Sequence, residues 1–372
     1  MKKVITIILK PTDACNFRCL YCFHEDMGYI RNRLSFEHFE RLLRMAVKEY
    51  ENTVLVWHGG EPMMCGIDYY RSAIDIIKEV KKEYPNAHIY NEMQTNLSLL
   101  NDEWIKFFKE NEFQVGFSFD GPCHDFTRQN SELVIKNALK LKEIMPNVEA
   151  LAVISKKNIN LIETYEYFAK IGMNLKFNAI FKEGAANDND FLLITPKEYV
   201  EEVNKLFDYW VYLEKPLFVD VFINYLHLCF GVPHRVCYNA SCLGKWLSMF
   251  PDGSLYPCAH SSIANHYKLA HISEVESIEE AFESDAMADL LFTVLEKRRH
   301  CQATCPLFYY CQSNCPASQL RNKENGLGDF ECVAFKGIFT HIQQFVEKIK
   351  SKEIEVSSLN PILQSFCNKY LK

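Results

Sequence analysis

Three cysteines near the start of the chain, in Cys15-Asn-Phe-Arg-Cys19-Leu-Tyr-Cys22, have a spacing that lets one short loop turn them toward a common point. Three thiolates can hold three corners of a cubane iron–sulfur cluster and leave its fourth iron without a protein ligand. The amino and carboxylate groups of S-adenosylmethionine (AdoMet) can chelate such an iron. One electron then splits a carbon–sulfur bond and yields a 5′-deoxyadenosyl radical. That radical takes hydrogen from unactivated carbon, which acid–base groups cannot do. Zinc is the other reading of these residues. Structural zinc is closed by four ligands, and here only His24 is near enough in sequence to add to the three thiols.

A second set of cysteines occupies the C-terminal part. Cys237, Cys242 and Cys258 come first, with Gly253 between the last two, followed by Cys301-x₃-Cys305-x₅-Cys311-x₃-Cys315 and finally Cys332. Of 15 cysteines, only Cys65, Cys123, Cys229 and Cys367 stand alone, and these read as small buried apolar side chains. Tight spacings in a chain of cytosolic character point to metal ligands rather than disulfides. The eight clustered C-terminal thiols could hold two zinc ions or two iron–sulfur clusters.

The elements that must position these groups follow a strand–helix alternation. Apolar runs predict strands over 4–9, 53–57, 87–93, 114–119, 148–154 and 175–180. Amphipathic stretches predict helices over 36–50, 69–82, 103–110, 133–144 and 161–171, the first capped by Ser35. Such repetition means a parallel sheet with helices outside it, here an α/β fold with a partial (β/α)₆ TIM-like barrel. Chemistry then gathers in the loops at the C-terminal strand ends. Those loops carry the cysteine triplet, Gly59-Gly60-Glu61-Pro62, Gln94-Thr95-Asn96 and Ser118-Phe119-Asp120-Gly121-Pro122.

The polar stretch Gly184-Ala-Ala-Asn-Asp-Asn-Asp190 suggests a boundary nearby, with a linking helix over 196–213. The cysteine-dense part reads as short elements fixed by metal, and a last helix over 335–350 as packing back onto the barrel. The expected division is a barrel over 1–225, a cysteine-rich iron–sulfur domain over 226–335 and a helical tail over 336–372. With 372 residues, a net charge of −7 and no basic run, the chain does not read as a nucleic-acid binder. No apolar run reaches the roughly 20 residues of a membrane span. The N-terminal run is too short for a signal peptide, so a cytoplasmic location is expected.

The triplet, with Tyr21 before its last cysteine, resembles the signature of the radical S-adenosylmethionine superfamily, and Trp57-His58-Gly59-Gly60-Glu61-Pro62 resembles that family's glycine-rich motif. The resemblance implies a [4Fe-4S] cluster on Cys15, Cys19 and Cys22. It also implies AdoMet contacts from Tyr21, Gly59, Gly60, Glu61 and Pro62, with Gln94 and Ser118 facing its methionine and ribose parts.

The C-terminal pattern resembles the SPASM extension of anaerobic sulfatase-maturating enzymes and peptide maturases. It implies two auxiliary [4Fe-4S] clusters, three in all, one on Cys237, Cys242, Cys258 and Cys315, the other on Cys301, Cys305, Cys311 and Cys332. Cys229 is a possible substitute for Cys237. One departure is the gap Gln302-Ala303-Thr304, three residues where the family has two, read as a bulge or an altered ligand.

The resemblance leaves two kinds of reaction. Sulfatase maturases oxidise a cysteine or serine to an aldehyde (formylglycine), with an aspartate after the cysteine equivalent to Cys258 as base. Here Ala259 and His260 follow, and in an extended segment His260 would point elsewhere. The expected activity is therefore peptide maturation, forming a thioether or carbon–carbon crosslink in a ribosomally made precursor peptide. Formylglycine formation is the alternative, and a non-catalytic zinc protein a further one. An epimerase would need a thiol donor such as Cys65 or Cys123. Expected partners are the peptide and an electron donor such as flavodoxin or ferredoxin; because the chain starts at the first strand, it either binds its peptide with the barrel and SPASM surfaces or relies on a separate leader-binding protein.

Overall fold

Alternating apolar strands and one-faced helices bury both surfaces of a parallel sheet, and the chain uses this six times. The structure, a computed structural model, describes residues 2–24, 32–232, 242–324 and 328–371. Strands β1 (Lys2–Leu9), β2 (Tyr50–Trp57), β3 (His88–Thr95), β4 (Gln114–Ser118), β5 (Glu149–Ile154) and β6 (Asn174–Ala179) pair in parallel in the order β6-β5-β4-β3-β2-β1. The result is an open α/β arc, the partial barrel that the sequence predicts.

Along β5 and β6 fully buried residues alternate with half-buried ones. The buried set (Ala150, Ala152, Leu175, Phe177) is apolar. The half-buried residues on the other face of the arc mix polar Gln94, Ser118, Lys176 and Asn178 with apolar Leu151 and Val153.

The sheet does not stop at β1. Strand β7 (Trp246–Met249) runs parallel to β1, with Thr6 opposite Trp246 and Leu9 opposite Met249. Strands β8 (Ser254–Tyr256) and β9 (Ala270–His271) follow antiparallel. The cysteine-rich segment is thus joined to the barrel edge by backbone hydrogen bonds, and Lys10 N continues that ladder to Met249 O at 2.9 Å.

Helix Phe36–Glu49 starts where Ser35 Oγ accepts a hydrogen bond from His38 N at 3.1 Å. It runs into β2 without a loop, so β2 begins earlier than its apolar run suggests. Helix Phe330–Lys350 packs on helices Pro196–Trp210 and Asp220–Cys229 at the end of the arc.

One expectation needs correction. The cysteine-rich part is not made of short elements alone, because Asp285–Thr304 is a 20-residue helix. It escapes a periodicity reading because Leu291, Phe292 and Leu295 lie exposed on it, blurring its apolar stripe. The stretch after Glu183 forms a turn, Gly184–Asn187, that packs onto the first cysteine loop: Ala185 N donates to Cys22 O at 2.9 Å, and a Cβ on Gly184 would collide with that carbonyl.

Candidate active site

The cysteine loop leaves β1 at Lys10 and is clamped from three sides. Gly60 N donates to Thr12 O at 3.1 Å and Glu61 N to Ala14 O at 2.8 Å, so the turn after β2 zips onto the loop's first residues. This contact requires glycine. Gly59 has φ +122°, and a Cβ on Gly60 would run into the Ala14 carbonyl. On the second side Leu20 N donates to Thr127 O at 2.9 Å. The third is the turn Gly184–Asn187.

Cys15, Cys19 and Cys22 are mutual electrostatic neighbours within this clamp. Burial pushes the Cys15 thiol up to about 11 and the Cys19 thiol to about 12. Phe17 N donates to Cys15 Sγ at 3.4 Å and Arg128 Nη1 to Cys19 Sγ at 3.8 Å, contacts that favour thiolate.

Tyr21 is buried, and its hydroxyl donates to Asp120 rather than facing the lumen. Asp120 also accepts from Thr127 Oγ1 at 2.6 Å, Arg128 Nε at 3.1 Å and Val153 N at 3.0 Å. One carboxylate therefore ties the cysteine loop to β5. The Glu61 carboxylate is likewise engaged, with Thr95 Oγ1 at 2.7 Å, Asn96 N at 2.6 Å and Met63 N at 3.0 Å. Burial pushes it up to about 7 against those three bonds. Pro62 opens the turn Pro62–Cys65 behind it. Gln94 and Ser118 come together across the sheet, Gln94 Nε2 donating to Ser118 Oγ at 3.1 Å, and Gly116 between them leaves room for Gln94.

Of the C-terminal cysteines, Cys301, Cys305, Cys311 and Cys332 line one recess with Asp329, Lys297 and Lys336. The three-residue gap is helical rather than a bulge. Cys301 lies in the last turn of helix Asp285–Thr304 and Cys305 caps it, Cys305 N donating to Cys301 O at 2.8 Å, so both thiols share one helix face. The backbone between Cys311 and Cys315 is left-handed at Gln312, Ser313 and Asn314, with φ 53°, 74° and 73°. Ser313 lines the same recess, and its buried hydroxyl has no partner among the described residues. Four thiols and an orphan donor around one recess fit an iron–sulfur cluster, whose sulfides accept hydrogen bonds.

Cys315 is half-buried beside Ser318, Arg321 and Glu331. The Cys258 and Cys315 segments touch where Ser262 Oγ donates to Ala317 O at 3.3 Å. Cys242 lies just ahead of β7, and Cys237 lies outside the described residues. Cys229, its possible substitute, ends helix Asp220–Cys229 near Lys350 and Glu347. Among the described residues no three histidine, cysteine or acidic side chains are gathered tightly enough to share one metal ion. A cubane sets each thiolate on a different iron, so its ligands stand farther apart.

Four residues at this site were not singled out from sequence as site residues: Lys10, Arg128, Glu183 and Arg321. Glu183 and Arg321 are buried and 3.3 Å apart. Glu183 also accepts from Ser261 Oγ at 2.6 Å and Ser262 N at 2.8 Å, and its Oε2 meets His260 Nδ1 at 3.2 Å. His260 therefore does not project away. It caps the turn Ser261–Ala264, stacks on Phe23 at 4.8 Å and faces the cysteine loop. His24 and His58 stand beside it, 5.6 Å apart, both held neutral by burial and by the charge of Lys10.

Residues 9–168, which hold the triplet, the Gly59–Gly60 turn and the Gln94–Ser118 pair, match the Radical SAM superfamily. Those residues form a radical SAM domain. As a radical SAM enzyme the chain takes AdoMet and a [4Fe-4S] cluster. The likeness to known proteins runs further than the matched segment. A cysteine-type anaerobic sulfatase-maturating enzyme of Clostridium novyi is 29% identical over 91% of this chain and 95% of its own length. A serine-type anaerobic sulfatase-maturating enzyme of Bacteroides thetaiotaomicron is 26% identical over 100% of this chain and 97% of its own length. The solved structure of native anSMEcpe with bound AdoMet and Kp18Cys peptide superposes with a TM-score of 0.79 at 24% identity, covering 94% of this chain and 99% of that one. This radical SAM chain therefore shares its fold with such enzymes through the cysteine-rich part as well as the barrel. Among the described residues no helix is long and apolar enough to cross a membrane.

Proposed function

We propose that this radical SAM enzyme oxidises a cysteine or serine residue of a peptide or protein to an aldehyde, the reaction that its resemblance to sulfatase-maturating enzymes implies. The observation that carries this reading is the end-to-end likeness to the Clostridium novyi enzyme, which includes the cysteine-rich segment as well as the barrel. The reading replaces peptide crosslinking as first choice.

AdoMet, when bound to the open iron of the Cys15–Cys19–Cys22 cluster, supplies the radical that removes hydrogen from the substrate carbon. The chain's own residues hold and shield that site. The Gly59–Gly60 turn presents backbone close to the loop, and the Gln94–Ser118 pair lies on the lumen face. Auxiliary clusters are assigned to Cys237, Cys242, Cys258 and Cys315, and to Cys301, Cys305, Cys311 and Cys332. Clusters held there would offer an acceptor for the electron that leaves the substrate, with a flavodoxin or ferredoxin as the donor of the starting electron.

One observation favours a second reading. Ala259 offers no carboxylate where the maturases carry their base, which suits thioether or carbon–carbon crosslinking of a precursor peptide. Anaerobic reaction of the reconstituted enzyme with AdoMet, reductant and peptides bearing a single cysteine or serine separates the two. An aldehyde that reacts with hydrazide supports oxidation. Loss of hydrogen from a longer peptide with no aldehyde, and with fragmentation blocked between two residues, supports crosslinking.

A further inference from the structure

Lys10 is 5% exposed, yet among the described residues its ammonium has no hydrogen-bond or ion-pair partner. What it meets is the face of Phe250, 3.6 Å from the ring centroid. Buried lysines are rare unless paired, because losing hydration without a counter-charge is costly. Its stem packs against Gly59, so close that a Cβ there would lie 3.2 Å from Lys10 Cβ. The lysine thus stands between the glycine turn after β2 and the Cys258 segment.

It faces a cavity of about 190 Å³, lined also by Phe23, Gly60, Ala259 and the carboxylates Asp13 and Asp252. Neither carboxylate comes within ion-pair distance of its ammonium in the described structure, and Asp252 is engaged with Ser254. Among the described residues that line this cavity, Lys10 is the one lysine or arginine. Ala259 brings nothing to neutralise it.

We propose that Lys10 is the substrate-contacting cation of this cavity and pairs with the thiolate of a substrate cysteine, so that the chain selects cysteine over serine. This rests on the oxidation reading. A free thiol loses its proton near pH 8.5, and a neighbouring cation lowers that value. The S–H bond breaks, its proton leaves to water through the open cavity, and the sulfur keeps the electron pair against the ammonium. No protein carboxylate is then needed, which accounts for Ala259. A serine hydroxyl is a far weaker acid and gains nothing from the same charge.

The test uses reconstituted enzyme with AdoMet but no reductant, and peptides that differ only in cysteine, serine or alanine at one position. Calorimetric titration at pH 8 should give about threefold tighter binding of the cysteine peptide than of the serine peptide, the effect at that pH of lowering the thiol pKa by about one unit from 8.5. Lys10→Met should erase that preference and Lys10→Arg should retain it. Equal binding of the two peptides by the unaltered enzyme overturns the proposal without any variant, as does a preference that survives Lys10→Met. Adding reductant then tests the oxidation reading separately. Preference without aldehyde leaves the lysine–thiolate pair standing and removes the oxidation, whereas aldehyde without preference removes only the pair.

Discussion

Glu183 and Arg321 form a buried ion pair, 3.3 Å apart, from which contacts run to four cysteine-bearing segments. The residues after Glu183 clamp Cys22, and the carboxylate itself holds the turn after Cys258. Arg321 lies beside Cys315, stacks over Phe181 at 4.2 Å and also pairs with Glu331, the neighbour of Cys332. A cation with two carboxylates in a dry interior is worth most as a unit, because removing one member leaves uncompensated charge. Arg321→Met should therefore destabilise the protein by roughly 3–5 kcal/mol, read as a lowered melting midpoint under anaerobic conditions. An unchanged midpoint would mean that the pair is solvated in solution.

The Asp120 hub makes a graded prediction. Tyr21→Phe removes one of its donors and should cost about 1 kcal/mol. Asp120→Ala strands the buried Arg128 guanidinium as well, and should cost several times more while loosening the loop that carries Cys19. Chemical unfolding of both variants checks the order. Equal losses would contradict it.

His124 gives a pH signature. It is fully buried, stacks on Phe119 at 4.4 Å and accepts from Asp120 N through Nδ1. Burial holds it down at about 4, from an ordinary value of 6.5. The unfolded chain therefore binds this proton first, so the stability contribution is complete above pH 6.5 and is lost as pH falls toward 4. By pH 5 the loss is about 2 kcal/mol. A His124→Gln variant should show a flatter melting profile between pH 7 and 5; parallel profiles would assign the acid sensitivity elsewhere.

Ligand assignments are tested by iron content. Cys19→Ser should lose one cluster's iron and all AdoMet cleavage. Cys305→Ala should lose iron from the outer recess yet still cleave AdoMet. If Cys305→Ala retains full iron, the helical Cys301–Cys305 pair is not a ligand pair.

Much of this was legible in the chain, and the gaps have physical causes. Strand–helix alternation announces the open barrel because each element buries one periodic face, and three cysteines with two glycines announce the chemistry because few other uses require them at that spacing. Strand β7 was not legible, since four residues carry too little pattern and its partner lies some 240 positions earlier. Glu183 and Arg321 look like ordinary surface charges until the fold buries them together. The Gln302-Ala303-Thr304 gap reads as an irregularity until a helix is seen to run through it. Lys10 gives no signal at all, because what marks it is its burial against the ring of Phe250, which only the fold brings about.

The central claim is that the radical takes hydrogen from the side chain of one peptide residue and leaves an aldehyde. The direct measurement uses a peptide deuterated at the β-carbon of its single cysteine, incubated anaerobically with the reconstituted enzyme, AdoMet and reductant. Deuterium recovered in 5′-deoxyadenosine, matched by aldehyde in the peptide, is the predicted result. Deuterium that stays in the peptide while AdoMet is consumed would contradict the account.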